Sequence, residues 1–114
     1  MPLEIKSLPT AGAEVRFILS GSLDSETAPE LERALEPITA STIIFDLKEL
    51  SFISSAGLRV IFATLKRQKA SGGKIAICGM SSGVKKVFEI VKALPDLNIF
   101  ASTQEMDDYL ASFQ

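Results

Sequence analysis

The sequence predicts a single α/β domain built on a mixed, mostly parallel sheet of about five strands with four helices. Its 114 residues, 46% of them hydrophobic, are enough for one buried core. Two segments of alternating polarity open the chain, and apolar runs then alternate with amphipathic stretches in the order β β α β α β α β α. Strands separated by helices pair in parallel through crossover connections. We therefore expect one domain over residues 1–114.

The opening segment predicts two strands joined by a hairpin turn. Leu3 and Ile5 alternate with charged neighbours, as in an edge strand, and residues 10–12 are typical of a turn. Alternation resumes at Val15, and we expect the second strand to end at Gly21. An antiparallel pair is therefore expected to precede the parallel part of the sheet.

Capping and breaking residues delimit the first helix and the strand that follows it. Residues 27–30 read Thr-x-x-Glu, a capping box that predicts a helix start, and Pro37 ends the amphipathic stretch. Residues 42–47 form a continuous apolar run with β-branched side chains, which is typical of a strand buried on both faces. This run predicts an interior strand.

The second half of the chain repeats the alternation. The strongest helical pattern covers residues 56–71 and is ended by a pair of glycines, and residues 74–78 predict another interior strand. A serine at position 81 or 82 is expected to cap the third helix, and a short strand follows at residues 97–100. A second capping box at residues 102–105 predicts the start of the fourth helix.

The composition excludes several classes of function. The absence of histidine excludes Ser-His-Asp and Cys-His triads and histidine-ligated zinc. The formal charge is −2, without the basic stripe typical of nucleic-acid binding. Lys74 follows two glycines but begins a strand, so this segment lacks the pattern of a phosphate-binding loop. We predict no catalytic residue, metal site, cofactor or nucleic-acid partner, and we do not expect an enzyme.

The sequence also predicts where the protein resides. Cys78 is the single cysteine, so no internal disulfide can form. No apolar run approaches the ~20 residues that cross a bilayer, and residues 1–9 lack the layout of a signal peptide. We expect a cytoplasmic protein with no membrane partner.

The most informative segment is residues 50–58, L-S-F-I-S-S-A-G-L. We expect the preceding strand to end near Leu47 and a short turn to carry residues 52–53, so that the serine pair 54–55 stands directly before the strongest helix. A serine there can cap the free N–H groups of the helix. A phosphorylated serine would meet the same N–H groups and the positive end of the helix dipole. Gly57 would leave room for a kinase or a phosphate to approach.

A second segment, Gly21-Ser22-Leu23-Asp24, lies between the second strand and the first helix. Gly21 permits a turn or a bulge, and Asp24 can cap the helix. The ends of strands and the loops that follow them are also where α/β sheets place their functional surfaces. The residues alone leave a capping role and a functional role open.

Together, the two segments resemble the STAS domain family and, within it, the bacterial anti-sigma factor antagonists. The first segment matches the Gly-x-Leu/Ile-Asp element of the family after the second strand. Residues 54–58 match the Asp-Ser-Ser/Thr-Gly-Leu element that opens the second helix. Ser54 replaces the signature Asp, and Ala56 replaces the second hydroxyl residue. The order of elements fits the family from Leu3 to Phe113.

The resemblance implies a partner-switching regulator. In the family, the unphosphorylated antagonist binds an anti-sigma factor that is also a serine kinase, phosphorylation releases it, and a PP2C-type phosphatase restores it. By position, the implied phosphoacceptor is Ser55, with Ser54 as the competing residue. The implied partner-binding residues are Gly21, Leu23, Asp24, Ser54, Ser55, Ala56, Gly57 and Leu58. The alternative is a STAS scaffold subunit that is never phosphorylated, for example in a lipid-transport ATPase complex.

Overall fold

The fold is an α/β domain whose single sheet is partly antiparallel. A computed structural model describes residues 2–9, 13–90 and 98–100. Its elements are β1 (Leu3–Pro9), β2 (Glu14–Leu23), α1 (Ala28–Leu35), β3 (Thr42–Ile53), α2 (Ser55–Ala70), β4 (Lys74–Cys78), α3 (Ser82–Ile90) and β5 (Asn98–Phe100). The sheet order is β1-β2-β3-β4-β5, with β1 antiparallel to β2 and the other neighbours parallel. The predicted mixed, mostly parallel sheet is confirmed. The turn predicted at residues 10–12 and the helix predicted from residues 102–105 lie outside the described residues.

The core joins one face of the sheet to the described helices. Ile43 and Phe45 of β3 share a contiguous buried cluster with Leu31 of α1, Ile61 of α2 and Val84 of α3. These helices therefore bury their apolar stripes on the same core, as the 3.6-residue spacing of those stripes predicts.

The centre of the sheet is buried on its opposite face as well. Ile44 of β3 and its β4 partner Ala76 point away from the helical core, because strand residues alternate between faces. They are nevertheless only 1% and 3% exposed. Residues 43–47 are all buried, and β3 and β4 each have a neighbouring strand on both sides. The prediction that residues 42–47 and 74–78 form interior strands is confirmed.

β3 is longer than the sequence predicts, because two irregularities interrupt its pairing with β2. The first lies between the pairs Ile18–Asp46 and Ser20–Glu49, where β3 carries one more residue than β2. An extra residue in one strand is a β-bulge, and it reverses the in–out alternation beyond it. Alternation from residue 42 onward therefore stops predicting burial at this point.

The second irregularity lies between the pairs Gly21–Leu50 and Ser22–Phe52 and again adds one residue to β3. Beyond each bulge the strand resumes, so the prediction of an end near Leu47 followed by a turn is wrong. The buried residues of this half are spaced by three rather than two: Leu47, Leu50 and Ile53. The prediction that β2 ends at Gly21 is also wrong, since β2 continues to Leu23.

The helix boundaries follow the predicted capping and breaking residues closely. α1 ends at Leu35, two positions before Pro37. α2 is shifted by one residue toward the N-terminus from its predicted span. The glycine pair ends it as predicted: Gly72 has a φ of 81°, and the Gly73 N–H donates to the Gln68 carbonyl at 2.6 Å. This is the Schellman arrangement, in which a left-handed residue closes the last turn. Ser81 caps α3, because its hydroxyl accepts from the backbone of the third residue on at 3.3 Å.

One buried polar side chain fixes the end of α2 against the sheet. Gln68 is 3% exposed. Its amide nitrogen lies 3.1 Å from the carbonyl of Ala40 and 3.2 Å from those of Ser41 and Lys74. The amide thus donates to backbone carbonyls at the starts of β3 and β4. These hydrogen bonds satisfy the buried amide and tie the end of α2 to both strands.

Candidate functional site

The two motif segments identified in the sequence form one structural unit. Leu23 and Ile53 are neighbours in the β2–β3 ladder. The Ser54 N–H donates to the Leu23 carbonyl at 2.9 Å, and the Ser51 hydroxyl donates to the Gly21 carbonyl at 2.9 Å. Residues 30 and 31 positions apart in the sequence are therefore joined by side-chain and backbone hydrogen bonds, and the start of α2 is positioned by the end of β2.

Each of the two motif glycines stands where a side chain would clash. Gly21 has a φ of 98°, and a Cβ there would overlap with the Pro2 carbonyl oxygen. A Cβ on Gly57 would lie 2.6 Å from Cγ of Leu23 and 3.0 Å from its carbonyl oxygen. Leu23 thus fills the space beside Gly57. The expectation that this space is open to a kinase or a phosphate is wrong.

Asp24 caps the segment that enters α1. Its Oδ1 accepts hydrogen bonds from the N–H groups of Glu26 at 2.9 Å and Thr27 at 3.0 Å. The Thr27 N–H, with smaller contributions from Glu26 and the Thr27 hydroxyl, holds the pKa of the Asp24 carboxyl below its ordinary value, although desolvation raises it in part. The ionised form is therefore the one that caps.

The capping box predicted at residues 27–30 does not form, because the Thr27 side chain is used elsewhere. Its hydroxyl donates to the Ser22 carbonyl at 2.8 Å and accepts from the Asp24 N–H at 2.9 Å. Thr27 is the N-cap residue of α1 but makes no side-chain cap bond. The helix begins where predicted, and its capping carboxylate comes from Asp24, three residues earlier.

At the start of α2, the cap and the candidate phosphoacceptor are different serines. Ser54 is the N-cap residue, and its hydroxyl accepts from the Gly57 N–H at 3.4 Å. Ser55 is the first helical residue, and its side chain is exposed. The Ser55 hydroxyl is therefore not needed to hold the helix and is accessible to solvent.

The remaining predicted site residues divide between surface and interior. Asp24, Ser54 and Ala56 are partly exposed, and Ser55 is exposed. Leu23 is fully buried, as is Gly57. These two residues offer little surface for direct contact, and their role in partner binding stays a prediction. Gly21 is partly exposed at the bulge, and Leu58 is 3% exposed.

A shallow groove runs from the candidate phosphoacceptor along α2. Leu58, Phe62 and Ala63 give it an apolar floor, and Arg59 and Lys66 give it basic edges. The first turn of α2 has no acidic residue. A negative group on Ser55 would therefore meet the positive end of the helix dipole and no carboxylate of that turn.

Two negative findings concern the described residues alone. Within residues 2–9, 13–90 and 98–100, no group of three or more His, Cys, Asp or Glu side chains could hold a metal ion. In the same part of the chain, no helix is long and apolar enough to cross a membrane.

Comparison with known proteins places this unit in a family. The model of the STAS domain matches residues 6–106, which is most of the chain. The chain belongs to the STAS domain family. The family predicted from the two motifs is thus confirmed, and the matched span includes both of them.

Among proteins similar to this STAS domain are anti-sigma factor antagonists. The chain is 34% identical over 82 residues to the anti-sigma-B factor antagonist of Staphylococcus aureus, covering 69% of this chain and 75% of that protein. It is 35% identical over 75 residues to BtrV of Bordetella bronchiseptica, which is proposed to be an anti-sigma factor antagonist. That match covers 63% of this chain and spans 65% of BtrV, slightly less than two thirds of its length.

Solved structures share the fold. The anti-sigma factor antagonist SpoIIAA in its unphosphorylated form has a TM-score of 0.82 at 21% identity, with 96% of this chain and 97% of that chain covered. The phosphorylated form of SpoIIAA from Bacillus has a TM-score of 0.75 at 21% identity and covers 94% of this chain and 99% of that chain. At this identity the likeness establishes the fold.

Proposed function

We propose that this protein is an anti-sigma factor antagonist that binds an anti-sigma factor while Ser55 is unphosphorylated and releases it when Ser55 is phosphorylated. The observation that carries the proposal is the division of roles between two adjacent serines. Ser54 caps α2, while Ser55 is exposed in its first turn. The names of the relatives above 30% identity support the class of partner.

The start of α2 can accept a phosphate without unfolding. The N–H groups of Ser55 and Ala56 lie in the first helical turn and have no acceptor within the helix. A phosphate on Ser55 would add favourable electrostatics with these donors and with the helix dipole. We therefore expect the phosphorylated domain to keep its fold and to change its surface.

Charge alone gives the switch a sufficient magnitude. A phosphate adds about −1.5 to −2 charges at neutral pH. If the partner covers Ser55, this charge must be desolvated without a counter-charge, which costs several kcal/mol. A 100- to 1,000-fold loss of affinity needs only about 3–4 kcal/mol. No rearrangement of the domain is required.

The proposed partner surface consists of the accessible part of the motif unit: Asp24, Ser54, Ser55 and Ala56. Buried Leu23 and Gly57 act by setting the distance between β2 and α2 rather than by contact. We further propose that the anti-sigma factor is the serine kinase that modifies Ser55 and that a PP2C-type phosphatase reverses the reaction. The same proposal takes residues 1–114 as one regulatory domain that meets its partner in the cytoplasm.

The test compares binding of three proteins to the cognate anti-sigma factor by isothermal titration calorimetry: wild type, Ser55→Ala, and wild type phosphorylated by that factor with ATP. We expect the first two to bind alike and the third to bind at least about 100-fold more weakly, for the reason given above. Mass spectrometric mapping should place the phosphate on Ser55, and Ser54→Ala should leave its incorporation largely intact.

Two results would contradict the assignment. Phosphate mapped to Ser54 would move the acceptor to the capping residue. A partner that binds tightly, is an active kinase, and leaves both serines unmodified would favour the scaffold subunit that is never phosphorylated.

A further inference from the structure

An exposed aromatic ring lies three positions before the proposed phosphorylation site, near the end of β3. Phe52 is 52% exposed, and Leu8 at 47% is the other strongly exposed large hydrophobic side chain among the described residues. A single exposed apolar side chain is common on protein surfaces and by itself has no functional meaning. What distinguishes Phe52 is the backbone feature that exposes it.

The second β-bulge of β3 turns Phe52 out of the core. Leu50, before the bulge, is 1% exposed, so regular alternation would bury the residue two positions later, which is Phe52. The extra residue in β3 reverses this order, and Ile53 is buried instead, at 3% exposure. A regular strand would have placed the ring inside and the isoleucine outside.

Specific contacts hold this bulge in place. The hydroxyl of Ser51, the extra residue, donates to the Gly21 carbonyl at 2.9 Å. Gly21 adopts a φ of 98°, which other residues rarely reach. Bulges near functional sites commonly re-aim a side chain. The exposure of Phe52 is therefore built into the same motif unit that positions Ser55.

The ring is continuous with the proposed partner surface. Phe52 precedes the capping serine by two positions, and its neighbour in the ladder is Ser22, within the first motif. Aromatic residues at the centre of an interface, packed in a partner's pocket and ringed by polar contacts, contribute a disproportionate share of binding energy. A partner that covers Ser55 and extends over the end of β3 would also cover this ring.

We propose that Phe52 is the apolar anchor of the partner surface and that the anti-sigma factor buries it in an apolar pocket beside Ser55. This inference rests on the proposed function, because that function supplies the partner. Docking the ring brings the rim of the pocket over Ser55. A phosphate there would be desolvated as the ring enters, so the anchor and the switch act on the same step.

The experiment measures binding of unphosphorylated variants to the cognate anti-sigma factor by isothermal titration calorimetry. Phe52→Thr removes the ring and keeps a β-branched side chain suited to a strand. Leu8→Thr is the matched control: it removes a side chain of similar exposure whose ladder partner, Arg16, lies six positions before Ser22 on β2, about 20 Å away at ~3.3 Å per residue. Thermal unfolding of each variant reports whether it is folded, and Phe52→Leu tests whether a smaller apolar group restores part of the affinity.

We expect Phe52→Thr to raise the Kd at least about 30-fold, as loss of a central aromatic commonly does. Leu8→Thr should change it less than about twofold, and Phe52→Leu should fall between wild type and Phe52→Thr. Affinity of Phe52→Thr equal to wild type, or an equal loss in both threonine variants, would overturn the inference while leaving the proposed function intact.

Two other outcomes are separable from these. A wild-type protein that forms a dimer by analytical ultracentrifugation, with Phe52→Thr monomeric and fully able to bind, would assign the ring to a second copy of this chain and overturn the inference. A wild-type protein that binds no anti-sigma factor would contradict the proposed function itself, and with it the inference.

Discussion

Replacing each serine at the start of α2 by alanine should separate the structural role from the functional one. Ser54→Ala removes the oxygen that accepts from the Gly57 N–H, while Ser55→Ala removes an exposed hydroxyl with no capping role. We expect the first variant to be less stable and the second to match the wild type. Only the second should abolish phosphorylation.

The magnitude follows from the geometry of the cap. Loss of a serine N-cap costs about 0.5–2 kcal/mol. The bond from Gly57 is 3.4 Å long, outside the usual range of about 2.7–3.2 Å, so we expect the lower half of that range, about 0.5–1 kcal/mol. For a domain of this size, that lowers the Tm by about 2–5 °C. Ser55→Ala should leave the Tm unchanged or raise it slightly, because alanine has the higher helix propensity.

The assay is urea unfolding followed by circular dichroism, with the free energy of unfolding extrapolated to water. Ser54→Asn serves as the control, because its side-chain oxygen can cap as well as a serine hydroxyl and its stability should stay close to that of the wild type. A Ser55→Ala protein less stable than Ser54→Ala would refute the assignment of the cap and would make the phosphoacceptor a structural residue.

Three further variants test the packing of the motif unit and the anchoring of α2. Gly57→Ala places a Cβ 2.6 Å from Cγ of Leu23, which is fully buried, and should cost about 1–3 kcal/mol by overpacking, measured by urea unfolding; a neutral effect would show that Leu23 can move aside. Gln68→Met removes the buried amide donor of the Ala40, Ser41 and Lys74 carbonyls. It should lower the free energy of unfolding by about 1–3 kcal/mol in the same assay, and wild-type stability would contradict the anchoring role of Gln68. Asp24→Ala removes the cap of the segment before α1. The pKa of Asp24 is lowered from 3.8 in the folded state. The stabilisation that the ionised carboxylate provides is therefore present above pH 3.8 and is lost as the pH falls through the lowered folded pKa. The Tm difference between wild type and Asp24→Ala should therefore be largest near neutral pH and shrink below about pH 4, and a difference that is constant with pH would exclude the ionised cap.

The elements that the sequence predicts well are those in which local pattern and tertiary packing agree. Every residue from 43 to 47 is buried, and all of them except Asp46 are apolar, so no choice of face had to be made. The glycine pair after α2 supplies the left-handed residue of a Schellman cap. In these cases a short window of sequence contains the whole physical cause of the structure.

The second half of β3 could not be predicted, because its cause lies in another strand. The bulges exist relative to β2, and alternation within β3 alone gives no sign of them. Residues 48–49 are charged and exposed, which in isolation is typical of a turn. The same limit applies to Thr27, whose sequence fits a capping box but whose hydroxyl binds the Ser22 carbonyl at the end of β2.

The candidate site shows why its two motifs were informative together and weak apart. Gly57 has no side chain because Leu23 of the other motif occupies that space, and Gly21 is left-handed at the bulge held by the Ser51 hydroxyl. The first motif thus supplies the steric reason for the glycine of the second, whereas Gly21 is required by its positive φ and by the nearby Pro2 carbonyl oxygen. A chance match to the second motif would lack Leu23 as its counterpart. Ser54, in place of the signature Asp, retains a capping oxygen and removes a negative charge next to Ser55. The replacement therefore preserves the start of α2 and lowers the electrostatic cost of placing a phosphate there.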